Sequence, residues 1–364
     1  MTAFIKAQPV LCISFAAALV SAFFVPPDTA YVGYINYSVL FELFGLMTAV
    51  AGLKKAGIFE KLTGFLLSRA GTVRRLAQIF SLLCFFSSML VTNDVALITF
   101  VPLTLLVFSS VDDEKSRIMT VVLETAAANL GSMMTPVGNP QNLYIYDTYG
   151  LDAPGFFSAL FPYGLISLIT ITLLTLTIPK NRCRSQSTGE SKINTADALI
   201  FSGLFVLCLL CVFKLLPAWS CAAAAVVIAL FTDRGLLLKA DWALLSTFVC
   251  FFVLVGNISR IEAVSGFFSG ILSGNEITVS ALLSQVISNV PAAVMLSGFT
   301  ENGTALLKGV NIGGLGTPIA SMASLISLQF YRSSDKAETG RFLAVFSAVN
   351  FGMLILLLAV SYFI

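Results

Sequence analysis

The 364-residue sequence contains no histidine, and only 11% of its residues are charged. The first absence removes the commonest metal ligand and the usual proton shuttle at neutral pH. The second excludes a soluble globular domain, where about a quarter of residues are charged. No ATP-binding loop is present, so the chain is not itself an ATPase, although a separate subunit could still energise it. A nucleophile with its base, a metal set and a clustered acid pair are also missing, which argues against an enzyme. No cleavable signal stands out: the apolar run from Leu11 to Val25 ends at Pro26 and Pro27 without a small-residue cleavage site, and reads as a first span. The seven cysteines sit mostly in apolar segments, with Cys183 in a polar loop. Cys208 and Cys211 form a CxxC only through the composition of an apolar helix, and buried thiols usually just pack. No cofactor and no nucleic-acid partner is expected.

What is present is apolar: 57% of the residues are hydrophobic. This is the composition of an all-α polytopic membrane protein whose main surroundings are the lipid bilayer. Runs long enough to cross, by a criterion of about 20 residues, lie near 9–25, 33–53, 117–147, 156–179, 197–214, 218–232, 240–257, 305–327 and 340–363. With the N-terminus cytoplasmic and the C-terminus external, only Lys214, Arg260 and Lys308 of the 21 Lys and Arg residues fall outside. The positive-inside rule selects that orientation.

Two further apolar stretches, 76–110 and 277–300, are interrupted by VTND (91–94) and ISNVP (287–291). Two full passes in either would leave roughly 17 residues each, near the lower limit, so both read as re-entrant hairpins. Gly-containing amphipathic segments near 56–70 and 260–272 precede them and suit the interface. A fifteen-residue pattern also recurs: NLGSMMTPVGNPQNL (129–143) and NIGGLGTPIASMASL (311–325), offset by 182 residues (311 − 129). Asn36-Tyr37 and Asp241-Trp242 are matched at 205 (241 − 36), and the hairpin tips at 196 (289 − 93). The expected organisation is therefore an inverted repeat at 1–179, a cytoplasmic linker with one extra span at 180–214, and a second inverted repeat at 215–364. The odd span turns the second unit over. Inverted repeats with broken helices are the sequence mark of alternating access around a midplane site.

The candidate site follows from the same interruptions. Gly131, Thr135 and Pro136 break one helix, and Gly313, Gly314, Gly316, Thr317 and Pro318 break its counterpart. Broken backbone at membrane depth survives only against protein or a water-filled cavity. Asn129, Gly138 and Asn139 would line one half-site and Asn311 the other. Tip one offers Thr92, Asn93 and Asp94, and tip two offers Ser288 and Asn289 ahead of Pro291. A tip at the midplane presents free N–H groups to an anion and free carbonyls to a cation. Plain helix capping and Gly-mediated packing are the alternatives. Glu42, Asp94 and Glu124 are carboxylates at depth, where acidic groups usually face a cavity or carry ions. A coupling role is expected for Asp94; for Glu42 and Glu124 a structural ion pair or a place nearer the interface is an equal reading.

The hairpin ending in ND, the TPVGNPQN segment, the SNVP hairpin and GVNIGGLGTPIAS together resemble the ion transporter superfamily, in particular its citrate-transporter-like and its arsenical-pump or sodium/proton-antiporter-like members. The resemblance covers essentially the whole chain. It implies Thr92, Asn93, Gly138 and Asn139 around one cation site, and Ser288, Asn289, Thr317 and Ala320 around the other, with a substrate carboxylate between the tips. It further implies elevator-like motion within a homodimer. The related dicarboxylate symporters carry Ser-Asn-Thr at each tip, whereas this chain has Thr-Asn-Asp and Ser-Asn-Val. Asp94 is similar to the arsenical-pump branch. The expected function is movement of a small anion of the citrate or carboxylate kind, coupled to sodium or protons, in a bacterial-type inner membrane. The alternative is sodium/proton antiport or arsenite-type efflux.

Overall fold

The computed structural model describes residues 8–59, 61, 71–108, 113–181, 193–335 and 337–364. Among them every regular element is helical. Most of the first amphipathic segment (62–70) and most of the linker (182–192, with Cys183) lie outside the described residues.

The chain opens with α1 (Pro9–Phe24) and α2 (Tyr37–Lys55). The first hairpin is α3 (Val73–Val91) and α4 (Asn93–Phe108). Next, α5 (Glu114–Ser132) breaks and resumes as α6 (Pro140–Thr148), and α7 (Ala153–Thr175) follows. Two helices, α8 (Thr195–Val212) and α9 (Trp219–Thr232), separate this set from α10 (Trp242–Ser259) and the short, mostly exposed α11 (Glu262–Leu272). The second hairpin is α12 (Glu276–Ile287) and α13 (Asn289–Ser297). Then α14 (Gly303–Ile312) breaks and resumes as α15 (Met322–Arg332), and α16 (Thr339–Ser361) ends the chain.

Side-chain caps from Asn, Asp or Thr start many of these helices, satisfying N–H groups that a helix cannot satisfy itself; Asn275 ahead of α12 does not cap. Asn36 accepts from the Val39 N–H at 3.2 Å ahead of α2, and Asp241 accepts from Leu244 at 2.9 Å ahead of α10, the pair matched at spacing 205. Asn139 caps α6 through the Asn142 N–H at 3.1 Å. Six described helices are long and apolar enough to cross a membrane: α2, α3, α7, α8, α10 and α16. Five coincide with expected spans; α3 is the first arm of the hairpin expected to dip and return. The expected spans at 117–147 and 305–327 are each divided into two shorter helices, and α1 and α9 fall short in length, with 16 and 14 residues.

Hairpin arms pack along the broken helices of their own half: α3 and α4 against α5, α12 and α13 against α14. The halves then interlock, because α15 lies against α4 while α6 lies against α13. Outside this core, α1 packs on α10, and both α8 and α9 pack on α2.

Polar contacts sort the helix ends into two rims. On the first, Lys55 pairs with Asp233 at 2.7 Å, Arg74 Nε donates to the Ile178 carbonyl at 2.7 Å, and Arg117 donates to the Asp335 carbonyl at 3.0 Å. The Lys55 ammonium holds the Asp233 carboxyl below its ordinary range, but such exposed pairs contribute little to stability. On the second, Arg260 pairs with Asp28 at 2.9 Å, Lys214 with Asp147 at 3.6 Å, and Tyr149 donates to the Thr300 carbonyl at 2.9 Å. The first hairpin starts beside Arg74 and the second beside Glu276, which accepts from Thr300 at 3.2 Å. The two hairpins thus enter from opposite rims.

Candidate functional site

The two hairpin tips share an unusual backbone. Thr92 has φ 72° and ψ 151°, and Ser288 has φ 76° and ψ 155°. Non-glycine residues rarely occupy this region, which costs of order 1–3 kcal/mol and persists only where surrounding structure enforces it. At both tips the turn lets an Asn start the returning helix, so that Asn93 and Asn289 are buried at helix N-termini; at the first, the Asp94 N–H donates to Asn93 Oδ1 at 3.0 Å.

Each tip touches the break of its own half. The Asn93 N–H donates to the Gly138 carbonyl at 3.1 Å, and the Ser288 hydroxyl donates to the Ala320 carbonyl at 3.4 Å. Gly138 and Ala320 are equivalent in the 182-residue repeat (320 − 138). The matched threonines behave alike: Thr135 Oγ1 donates to the Met89 carbonyl, and Thr317 Oγ1 donates to the Gln285 carbonyl at 3.0 Å. Met89 and Gln285 each lie three residues before the positive-φ residue of their tip. Glycine is needed where the break crosses the arm. A Cβ on Gly131 would lie 2.0 Å from the Phe85 carbonyl oxygen, and one on Gly313 2.8 Å from the Ala281 Cα. Within the first break a Cβ on Gly138 would meet the Ser132 carbonyl at 2.0 Å.

The breaks are joined across the halves by amides. Asn129 Oδ1 accepts from Asn93 Nδ2 at 3.0 Å and from the Ser321 hydroxyl at 2.9 Å, while its Nδ2 donates to Ser324 Oγ at 3.3 Å. In the reciprocal sense Asn311 Oδ1 accepts from Asn139 Nδ2 at 3.2 Å, and Asn311 Nδ2 donates to Asn142 Oδ1 at 2.6 Å. Asn142 Nδ2 also reaches the carbonyls of Ser132, Met133 and Thr135, which ties the first break together. Gln285 does this for the second, donating to Gly313 and Leu315 carbonyls, both at 2.9 Å, and accepting from the Thr317 N–H.

Thr92, Asn93, Gly138 and Asn139 therefore come together at one tip, and Ser288, Asn289, Thr317 and Ala320 at the other. Sequence reasoning passed over Asn142, Ser321, Ser324 and Gln285. The first three sit inside the repeated segment, where an Asn or Ser spaced to face the partner break was the available signal; Gln285, one turn before a tip, offered none.

Asp94, at the start of α4, has a buried Oδ1 with no hydrogen-bond partner. Glu124 is fully buried on α5 and accepts from the Thr104 hydroxyl, with its Oε2 unpartnered. Glu42 is buried on α2 and lines a cleft of about 480 Å³ with Asp147 and Lys214, away from the tips. Among the described residues neither Glu42 nor Glu124 forms an ion pair, one of the readings open for them. Arg260 is exposed, and the half-buried Lys308 lies 5.7 Å from the Tyr163 ring centroid. A second cavity, of about 220 Å³, runs from the Asp241 and Gln329 side of the first rim to Ser288 and Pro291. The second tip is thus reached from that rim.

Known proteins share this layout. A crystal structure of the Alcanivorax borkumensis YdaH transporter, described as having an unusual topology, superposes with a TM-score of 0.57 over 90% of this chain and 86% of its own, at 18% identity. At that identity the likeness speaks for the fold. The inner membrane protein YbiR of Escherichia coli strain K12 is 31% identical over 88% of this chain and 87% of its own length. An uncharacterized transporter of Methanocaldococcus jannaschii is 32% identical over 89% of each. Residues 3–302 match the family described as citrate transporter. With matched tips, matched breaks and relatives spanning nearly its whole length, the chain is an integral membrane protein that belongs to the citrate transporter family.

Proposed function

We propose that the chain is a secondary active transporter that moves a small anion of the citrate or carboxylate kind, coupled to sodium or protons, by alternating access. The observation that carries this reading is the paired tip-to-break junction, Asn93 on Gly138 and Ser288 on Ala320. Each junction gathers amide, hydroxyl and carbonyl oxygens, the hard ligands that suit sodium, beside the N-terminus of a returning helix, which suits a carboxylate. The substrate lies between the tips, and the coupling ion at one or both junctions.

Hairpins entering from opposite rims support the inverted pair, with repeats at 1–179 and 215–364 and the linker and extra span at 180–214. In this reading the Lys55–Asp233 rim is cytoplasmic, the N-terminus is inside and the C-terminus outside, in a bacterial-type inner membrane. The cavity ending at Ser288 is then the inward route to the second tip. A scaffold of outer helices in a homodimer carries the hairpins and breaks as the moving unit.

One observation favours a second reading. Asp94 keeps a buried oxygen without a partner, and none of the ion pairs among the described residues reaches it. An uncompensated carboxylate at depth attracts a cation or a proton, as sodium/proton antiport or arsenite-type efflux would use.

A thermal-shift screen of the purified protein in detergent separates the two. It crosses sodium, potassium and pH with citrate, succinate, malate, sulfate, phosphate and arsenite. Stabilisation by an organic anion that depends on sodium or low pH is the result expected of the symporter. A response to sodium or pH alone, with every organic anion silent, would overturn it in favour of the antiporter or efflux reading.

A further inference from the structure

The amide of Asn129 is fully occupied. Its carbonyl oxygen accepts from Asn93 at 3.0 Å and Ser321 at 2.9 Å, and its nitrogen donates to the Gly314 carbonyl at 3.4 Å and Ser324 at 3.3 Å. Two lone pairs and two N–H groups are all that an Asn side chain has. The residue is 4% exposed, so each bond is made without competition from water and each polarises its neighbours.

Two of these bonds lie on a path from one tip to the other. Asn93 forms tip one. Ser321 directly follows Ala320, whose carbonyl takes the Ser288 hydroxyl of tip two. The path Asn93, Asn129, Ser321, Ala320, Ser288 therefore joins the two junctions through three hydrogen bonds and one peptide link. The reciprocal residue does not do the same. Asn311 reaches Asn139 and Asn142 of the first break, but its remaining N–H goes to the Leu307 carbonyl within its own helix rather than to tip two.

We propose that Asn129 is the positioning residue through which the two tip sites are coupled, so that filling one raises the affinity of the other. The proposal rests on the reading that the tips hold the transported species. An ion that takes the Asn93 side-chain oxygen turns that amide and alters its donation to Asn129. The Asn129 carbonyl is then held by Ser321 alone, which draws the segment carrying the Ala320 carbonyl toward tip two and readies that site for its own ion. Coupling of this kind is reciprocal.

The alternative is that Asn129 only fastens the halves together. Its loss would then lower stability and leave cooperativity intact, and the slope of a binding curve distinguishes the two. The full chain in detergent is titrated with sodium chloride against choline chloride at constant ionic strength, and separately in pH, with saturable thermal stabilisation as the readout. The expected wild-type slope is steep, with a Hill coefficient near about 2, and Asn129→Ala lowers it to about 1 with a midpoint raised about 5-fold or more. Asn350→Ala, which removes a buried amide bonded, among the described residues, to the Phe346 carbonyl alone, lowers the melting temperature and keeps the steep slope. Where Asn129→Ala does not fold, Ser321→Ala removes the hydroxyl of the same path and is judged by the same slope. A wild-type slope of about 1, or a steep slope kept in the path variant, overturns the coupling while ion binding stands. No wild-type response to sodium or to pH overturns the ion-coupled reading, and the coupling with it.

Discussion

Replacing Thr92 with glycine should make the protein more stable than replacing it with alanine, the reverse of the usual order. Thr92 sits at φ 72° and ψ 151°, a conformation that costs a residue with a Cβ about 1–3 kcal/mol. Glycine escapes that cost and loses about 0.5–1 kcal/mol through its greater freedom in the unfolded chain. The balance favours Thr92→Gly over Thr92→Ala by roughly 0–2.5 kcal/mol, with a midpoint of about 1 kcal/mol. Among the described residues the Thr92 hydroxyl makes no hydrogen bond, so both variants lose the same hydroxyl and methyl and differ only by the Cβ that this backbone disfavours. Ser288 at φ 76° should give the same order, since both variants lose the hydroxyl contact to Ala320. Thr172, exposed within α7 and with its hydroxyl bonded, among the described residues, to the Leu168 carbonyl alone, serves as the ordinary position, where alanine should win by about 1 kcal/mol. The assay is thermal or denaturant unfolding of all six variants in one detergent. Alanine equal to or better than glycine at both 92 and 288 would refute the enforced backbone at the tips. The same glycine variants should transport more slowly, because a relaxed tip no longer presents its oxygens in one place.

Three other outcomes are expected. Asn93→Ala and Asn289→Ala should each abolish uptake into vesicles with expression intact; normal uptake in either removes that tip from the mechanism. Asp94→Asn should flatten the pH profile of transport in reconstituted vesicles with little change in melting temperature, and an unchanged profile would make Asp94 a fixed cap. Gly131→Ala, which forces a Cβ to 2.0 Å from backbone, should cost about 1–3 kcal/mol, whereas Gly203→Ala, with open space around it, should be neutral or stabilising in an unfolding series.

The parts of the site that could be read in advance are those carried by local chemistry. Gly, Thr and Pro mark a break where they cluster, whereas Pro102 and Pro162 stand inside continuous helices, and two copies of TP at one spacing place both breaks. Asn93 and Asn289 announced themselves because a polar pair in the middle of a hydrophobic run has few other uses. What stayed hidden depends on partners far along the chain. Asn142 and Ser324 occupy equivalent places in the repeat (324 − 142 = 182), yet each serves an Asn of the other half, and no periodicity within one segment reveals a contact across two. The ion pairs considered for Glu42 and Glu124 did not form because Lys214 lies nearer Asp147 than Glu42 and no cation lies among the groups bonded to Glu124. The length of α3 also escaped the pattern: the VTND interruption fixes where the arm ends, while its beginning at Thr72, a cap that accepts from the Arg75 N–H at 3.3 Å, lies outside the apolar run.

The hairpins are built to different lengths. The arms of the first have 19 and 16 residues and those of the second 12 and 9, so at 1.5 Å per residue they extend about 28 and 24 Å against about 18 and 14 Å. Two identical halves exchanging roles would make the inward-open and outward-open forms mirror states of equal energy, and only an imposed gradient could favour one. Unequal hairpins remove that degeneracy. The short hairpin leaves less protein between its tip and its rim than the long one, so a site that alternates between the rims would rest unequally between its two forms and bind with different apparent affinity from each side, while the gradients alone set the direction of net flux.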